Sequence, residues 1–431
     1  MNINDISHSS QLNNNAMNDD NDGLQLLKLK NEENNNWLRK KLLKNNLKLI
    51  YLLILIIIIL ILEFIYRNRL FDYSVKLISN WQNESNEDSK KFFFIFITEL
   101  GGQYMIGLMI ITSYYFFSLM ESFAFFSGAI KCIYLVNLLK IIYGNKRPFW
   151  IEPELIKYNC DGGYGNPSGH SMMSCYIYLS YYYILSKKKL FDSNLILKIV
   201  FLFCDLILVF LIMLSRIFLG MHSINQILYG FFLGFFCFYF DYLIFEFHSI
   251  ELDYYIKVFK SKKIMKILIL IIIICFLVII LFYFTLNKKT IKDNDNILNG
   301  IEKCQKLEKY RRLNNDALFA SCLIIGLLGL YFGQMFFWKL LEKKYFEIFY
   351  NSNFEIKWVY DYKNIKKNPK VLFKIFGIFI FCLLPGLLFL TSGLFKKKLI
   401  LFFIFSHCTP LFCICFLLYG PGMYFLVLKI E

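Results

Sequence analysis

The sequence predicts an all-α, polytopic membrane helix bundle of about ten spans. Three observations point there. Of the 431 residues, 57% are hydrophobic and only 19% charged, whereas soluble domains average about 45–50% apolar and about 25% charged. The apolar excess is gathered into runs such as Leu49–Leu62 and Ile264–Thr285, and an apolar run of about 18 residues or more can cross a bilayer. Lys- and Asn-rich segments separate those runs. A soluble enzyme, a coiled coil and a disordered scaffold are excluded.

Residues 1–46 form a polar, Asn-rich tail with acidic Asp19, Asp20 and Asp22, which turns basic from Trp37 to Lys48. Its early part has too little apolar surface to fold. The first run, about 47–66, is too long for a signal-peptide core and has no small-residue cleavage site, so it reads as a signal anchor. The basic flank predicts a cytoplasmic N-terminus. Residues 67–91 then form the loop that completes the segment 47–91.

Further spans are expected at 92–118, 122–143, 168–186, 195–219, 222–246, 263–286, 316–340, 371–392 and 399–427. Residues 247–431 are thus a C-terminal membrane region appended to a core at 92–246. With the N-terminus inside, the basic loops at 187–194, 247–262 and 341–370 are cytoplasmic, in keeping with the positive-inside rule. The basic loop 287–315 and Lys396–Lys398 fall outside. Asn83-Glu84-Ser85 matches a glycosylation acceptor on that outer side. Cys160 and Cys304 lie in outer loops, where a disulfide is possible, and the remaining cysteines mostly sit in apolar runs.

The balance of 48 basic to 32 acidic residues, +16 overall, suits anionic headgroups or phosphate substrates. Nucleic acid is not expected as a partner, because the cations are scattered among short loops. Lys131 and Asp205 fall inside spans three and five, where they could pair and stabilise the bundle; the sequence itself gives no pairing evidence, and neither is placed in the site.

Chemistry concentrates in three clusters at one predicted membrane face. Lys140 and Arg147 lie seven residues apart, about two helical turns, before the break at Pro148. Pro167-Ser168-Gly169-His170 opens the fourth span, where free N–H groups and the helix dipole favour an anion. Ser215-Arg216 is followed, after five intervening residues, by His222, with Gln226 one turn on to hydrogen-bond and orient its ring. Fixed cations, a helix N-terminus and two imidazoles make up the set that a tetrahedral oxyanion needs.

Lys140-x6-Arg147-Pro148, Pro167-Ser168-Gly169-His170 and Ser215-Arg216-x5-His222 together resemble the signature of the type 2 phosphatidic acid phosphatase and vanadium haloperoxidase superfamily. The resemblance covers about 92–246 and implies a six-helix phosphatase core with no metal and no cofactor. It implies that His222 is the nucleophile that becomes phosphohistidine and His170 the acid for the leaving oxygen. Lys140, Arg147, Ser168, Gly169 and Arg216 then match the phosphate cradle. Many members carry an acid where this chain has Gln226; an amide orients the imidazole without raising its basicity.

Ser215–Gly230 (SRIFLGMHSINQILYG) resembles sphingosine-1-phosphate phosphatases of the endoplasmic reticulum. Arg147-Pro148-Phe149-Trp150, Cys160 and Gln226 look more like glucose-6-phosphatase. The expected substrate is accordingly a phosphorylated lipid, with a sugar phosphate as the alternative, at a lumenal site. A transporter or silent interaction protein is the reading from another class, and haloperoxidase activity is more distant still.

Overall fold

A computed structural model describes residues 47–83, 88–116, 119–152, 155, 163–187, 194–248, 261–290, 324–333 and 335. The chain divides into two units, Met1–Leu55 and Ile56–Glu431. Of the first, residues 47–55 are described and helical. Everything below concerns the second.

The described residues are helical, with no strand. The elements are α1 (Leu47–Asn83), α2 (Asp88–Leu100), α3 (Gln103–Phe116), α4 (Leu119–Tyr143), α5 (Pro148–Ile151), α6 (Gly169–Ser186), α7 (Leu195–Phe218), α8 (Ile224–His248) and α9 (Lys262–Thr290), then α10 (Ile324–Gly333). Six stretches among them are long and apolar enough to cross a membrane: Leu47–Asn83, Ser89–Ile110, Glu121–Ile151, Leu195–Phe218, Ile224–Leu243 and Lys263–Thr285. Of the ten expected spans, those at 371–392 and 399–427 lie outside the described residues, as do Cys160, Cys304 and most of 316–340.

Three expectations need correction. Residues 67–83, read as loop, continue α1. The reason is a face that Asn and Lys obscure in the composition: Glu63, Ser74, Ile78 and Gln82 recur at helical spacing and are buried. The span at 92–118 is split into α2 and α3 at Gly101-Gly102, two poor helix formers in succession. Lys131 pairs with Asp241 of α8 at 2.5 Å and not with Asp205; Asp241 also accepts from Tyr176 of α6 at 2.9 Å. The polar network joins α4, α6 and α8, where an isolated ionised side chain would cost free energy.

The core is built around α6. It is less apolar than its neighbours because it carries serines, tyrosines and a histidine, yet residues 171–180 are all buried. It packs on α4, α7 and α8. Ser171 and Ser174 satisfy their hydroxyls locally, and Tyr178 donates to the Leu100 carbonyl at 3.0 Å. Gly230 permits a close helix approach, since a Cβ there would stand 2.5 Å from the Ser168 carbonyl oxygen. By contrast α7 presents Leu195, Ile196, Phe203 and Phe210 outward, as a lipid-facing helix should.

Candidate active site

The loop after α4 supplies the first wall. Gly144 adopts φ +58°, a left-handed conformation that glycine tolerates at no steric cost. Arg147 follows as the N-cap of α5, with Pro148 in the first turn. Its side chain is fully buried. Nε donates to Gly163 O at 2.6 Å, Nη1 to Met221 O at 3.2 Å and Nη2 to Tyr164 O at 3.5 Å. A buried guanidinium is costly unless hydrogen-bonded, and these carbonyls aim it while they compensate it.

Ser168 builds the second wall. It caps α6 in extended conformation, with its Oγ accepting from Ser171 N at 3.5 Å and Ser171 Oγ at 3.0 Å. Its backbone N–H donates to Gln226 O at 3.0 Å, which holds the start of α6 against α8. At Gly169 an added Cβ would come 3.8 Å from Lys140 Nζ, so the end of α4 and the start of α6 meet here. His170 is half-buried and borders the break in the second span: a Cβ at Gly101 would lie 3.7 Å from its ring carbon Cδ2.

The hairpin between α7 and α8 closes the site. Its turn uses Gly220 at φ +66°, with Met221 N and His222 N both donating to Arg216 O at 3.1 and 3.3 Å. The Arg216 side chain is buried, and Nη1 donates to Thr98 Oγ1 at 3.0 Å.

The tautomer of His222 follows from its neighbours. Nδ1 lies 2.8 Å from Gly165 O and 3.3 Å from Gln226 Oε1. Gln226 donates through Nε2 to Lys146 O at 2.8 Å, so its Oε1 is the atom facing the ring. Both neighbours of Nδ1 are acceptors, hence Nδ1 carries the proton and Nε2 the lone pair. Nε2 stands 3.3 Å from Arg147 Nη1. Burial, followed by the charges of Arg147, Arg216, Lys140 and His170, pushes the His222 pKa well below its usual 6.5. The imidazole is therefore neutral at physiological pH, with its lone pair turned toward the cations.

All eight residues singled out in the sequence thus lie around one end of the bundle: Lys140, Arg147, Ser168, Gly169, His170, Arg216, His222 and Gln226. Sequence reasoning missed Gly165, whose carbonyl is the shorter partner of His222, and Thr98, which holds Arg216. Backbone acceptors leave no residue-type signal, but the Gly101-Gly102 pair inside an apolar run was a visible mark of a break near Thr98. It also missed Glu63, buried on α1, which accepts from Asn166 Nδ2 at 2.8 Å. Among the described residues no group of three or more His, Cys, Asp or Glu could hold a metal ion.

Comparison with curated proteins found no match. Among solved structures the chain is similar to the crystal structure of a transmembrane PAP2 type phosphatidylglycerolphosphate phosphatase from Bacillus subtilis. The identity is 21%, over 47% of this chain and 98% of that chain, with a TM-score of 0.41. The family model of the PAP2 superfamily matches residues 110–250, a segment that contains all eight residues of the site. Over this segment, from within α3 to just past the end of α8, the chain is similar to the PAP2 superfamily.

Proposed function

We propose that this protein is an integral-membrane, metal-independent phosphatase that hydrolyses phosphate monoesters, chiefly of lipids, through a phosphohistidine on His222. The single observation that carries the reading is the setting of His222. Its Nδ1–H is fixed by Gly165 O, and its Nε2 faces Arg147 inside a buried ring of cations. A neutral imidazole with one oriented lone pair is a competent nucleophile.

In the proposed mechanism Nε2 of His222 attacks phosphorus in line and the bond from phosphorus to the ester oxygen breaks. Lys140, Arg147, Arg216, the Ser168 hydroxyl and the Gly169 N–H hold the non-bridging oxygens, whose charge grows as the bond breaks. Charge-assisted hydrogen bonds of this kind contribute about 1.5–3 kcal/mol each. His170 gives its proton to the departing alcohol. It then takes one from water, which attacks phosphorus and releases phosphate and neutral His222.

Exposure supports a lipid as substrate. His222 and Arg147 are buried, whereas Lys140, Gly169 and His170 are half-buried, so the leaving group faces the side where α3 begins. There Tyr104 is 79% and Leu108 52% exposed, apolar surface suited to an alkyl chain. Loop charge supports a lumenal site, with the endoplasmic reticulum as the proposed membrane. The test is a substrate panel on purified protein in detergent: sphingoid-base phosphate, phosphatidate and glucose 6-phosphate, without added metal and with vanadate as inhibitor. Release from the lipids well above that from the sugar supports the reading; preference for glucose 6-phosphate replaces the substrate, and no release from any overturns the enzyme.

A further inference from the structure

Helix α1 lies outside the family match, yet between Glu63 and Gln82 it is pinned at three points to two connections at the site end, the approach to α6 and the α7–α8 hairpin. Glu63 Oε1 accepts from Asn166 Nδ2 at 2.8 Å. Ser74 Oγ accepts from the Ile224 backbone N–H at 3.0 Å. Gln82 donates through Nε2 to Phe218 O at 2.5 Å. Asn166 is two residues before the cap of α6, Phe218 ends α7 and Ile224 begins α8. From residue 63 to residue 82 is about 28 Å of helix at about 1.5 Å per residue. A helix whose successive anchors all lie at one end of a bundle runs across that end as a strap.

The strap's polar anchor is closest to the chemistry. Glu63 is buried and gripped through both oxygens by Arg67, at 2.8 Å from Nε and 2.6 Å from Nη2. Arg67 in turn stacks over the Tyr143 ring at 4.7 Å. Asn166, fully buried, directly follows Gly165, the residue whose carbonyl accepts from His222 Nδ1. The backbone N–H of Gly165 donates to Asn145 O at 2.9 Å, and a Cβ at Gly165 would stand 2.5 Å from Gln226 Oε1. There is no slack at this position: the loop is held on one side by Gln226 and on the other by Glu63.

We infer that Glu63 is a positioning residue for the reaction: by holding Asn166 it fixes the Gly165 carbonyl that orients His222. The claim rests on the phosphatase reading given above. It makes the strap part of the catalytic device and not only a membrane anchor. Losing the partner that orients a reacting group costs about 10–100-fold, and here the loss falls on kcat, because the cations that bind the phosphate stay in place.

Three variants of the full-length protein test this. Glu63→Ala is expected to lower kcat about 10–100-fold with KM changed by less than about threefold. Asn166→Asp sets two carboxylates against each other and lowers kcat similarly. Adding Glu63→Gln to Asn166→Asp supplies an amide donor to the new carboxylate and recovers at least about half of the lost logarithm of rate. The ¹⁵N shifts of the His222 ring, in purified protein without substrate, provide a readout independent of turnover: the Nδ1–H signal is sharp and displaced in the wild type and moves toward free imidazole in Glu63→Ala. An unchanged kcat and unchanged ring shifts in Glu63→Ala overturn the inference. So does a combined variant no more active than Asn166→Asp. If the wild type releases no phosphate, the phosphatase reading fails, and the ring shifts alone still decide whether Glu63 orients His222.

Discussion

Helices α4, α6 and α8 each contribute to two polar clusters, and the two are built on opposite plans. Toward the middle of the helices, Lys131, Asp241 and Tyr176 close on one another, cation to carboxylate and hydroxyl to carboxylate. At the other cluster, Arg147 is held by the carbonyls of Gly163, Tyr164 and Met221, and Arg216 by the Thr98 hydroxyl. Uncharged acceptors such as these fix the direction of a guanidinium. The first cluster ties helices together; in the proposed mechanism the second turns its charge toward an arriving oxyanion. Lys131 is 44% exposed at its side chain whereas Arg147 is fully buried, so the two clusters also differ in depth.

Variants sharpen that contrast. The largest effect is expected for His222→Ala, which removes the proposed nucleophile and should lower kcat by at least about 10³-fold with the melting temperature nearly unchanged; steady-state kinetics and a thermal melt on the same sample check this. Arg147→Ala comes next. Losing one preorganised donor costs about 10²–10³-fold in kcat, and here the Gly163–Tyr164 loop also loses its anchor, so a modest drop in melting temperature accompanies it. Asp241→Asn inverts the pattern: a weakened hydrogen-bonded pair costs about 1–3 kcal/mol of stability, read by chemical or thermal unfolding, while kcat of the folded protein stays within about twofold of wild type, the tolerance expected at a site outside the chemistry. An Asp241→Asn protein that melts normally but has lost turnover would erase the distinction.

The smallest effect concerns pH. The folded His222 pKa lies below 6.5, so between that value and 6.5 the unfolded chain binds the proton and the folded one does not. Stability therefore falls as pH drops below about 6.5. In a non-titrating His222→Gln variant, the drop in melting temperature between pH 7 and pH 5 should shrink. An identical drop in both proteins would mean that this imidazole is not the buried neutral group described here.

Much of the candidate site was legible in the sequence, because the proposed phosphate cradle needs specific side chains at specific spacings and those survive as letters: Lys140, Arg147, Ser168, His170, Arg216 and His222. The supports were less legible. Gly165 acts through a carbonyl that every residue possesses. Glu63 and Thr98 meet the site only after about a hundred residues of intervening chain fold back, and no local period encodes such a meeting. For Lys131, two acids on later spans were available, and only the rotation of α7 and α8 about their axes chooses Asp241. Six of the ten expected spans coincide with helices of the described residues long and apolar enough to cross a membrane, but α1 was cut short at residue 66 because the amphipathic continuation is polar on average. Apolar length finds what faces lipid; it overlooks a helix that lies across the end of a bundle.

The most direct measurement is a rapid quench of the wild type with ³²P-labelled substrate, followed by peptide mapping of the denatured protein. The account predicts a label that is stable in alkali, lost in acid and mapped to His222, absent from His222→Ala and longer-lived in His170→Ala when the leaving group is a nitrophenolate. Undiminished turnover in His222→Ala, or a trapped phosphoryl group on any other side chain, would contradict it.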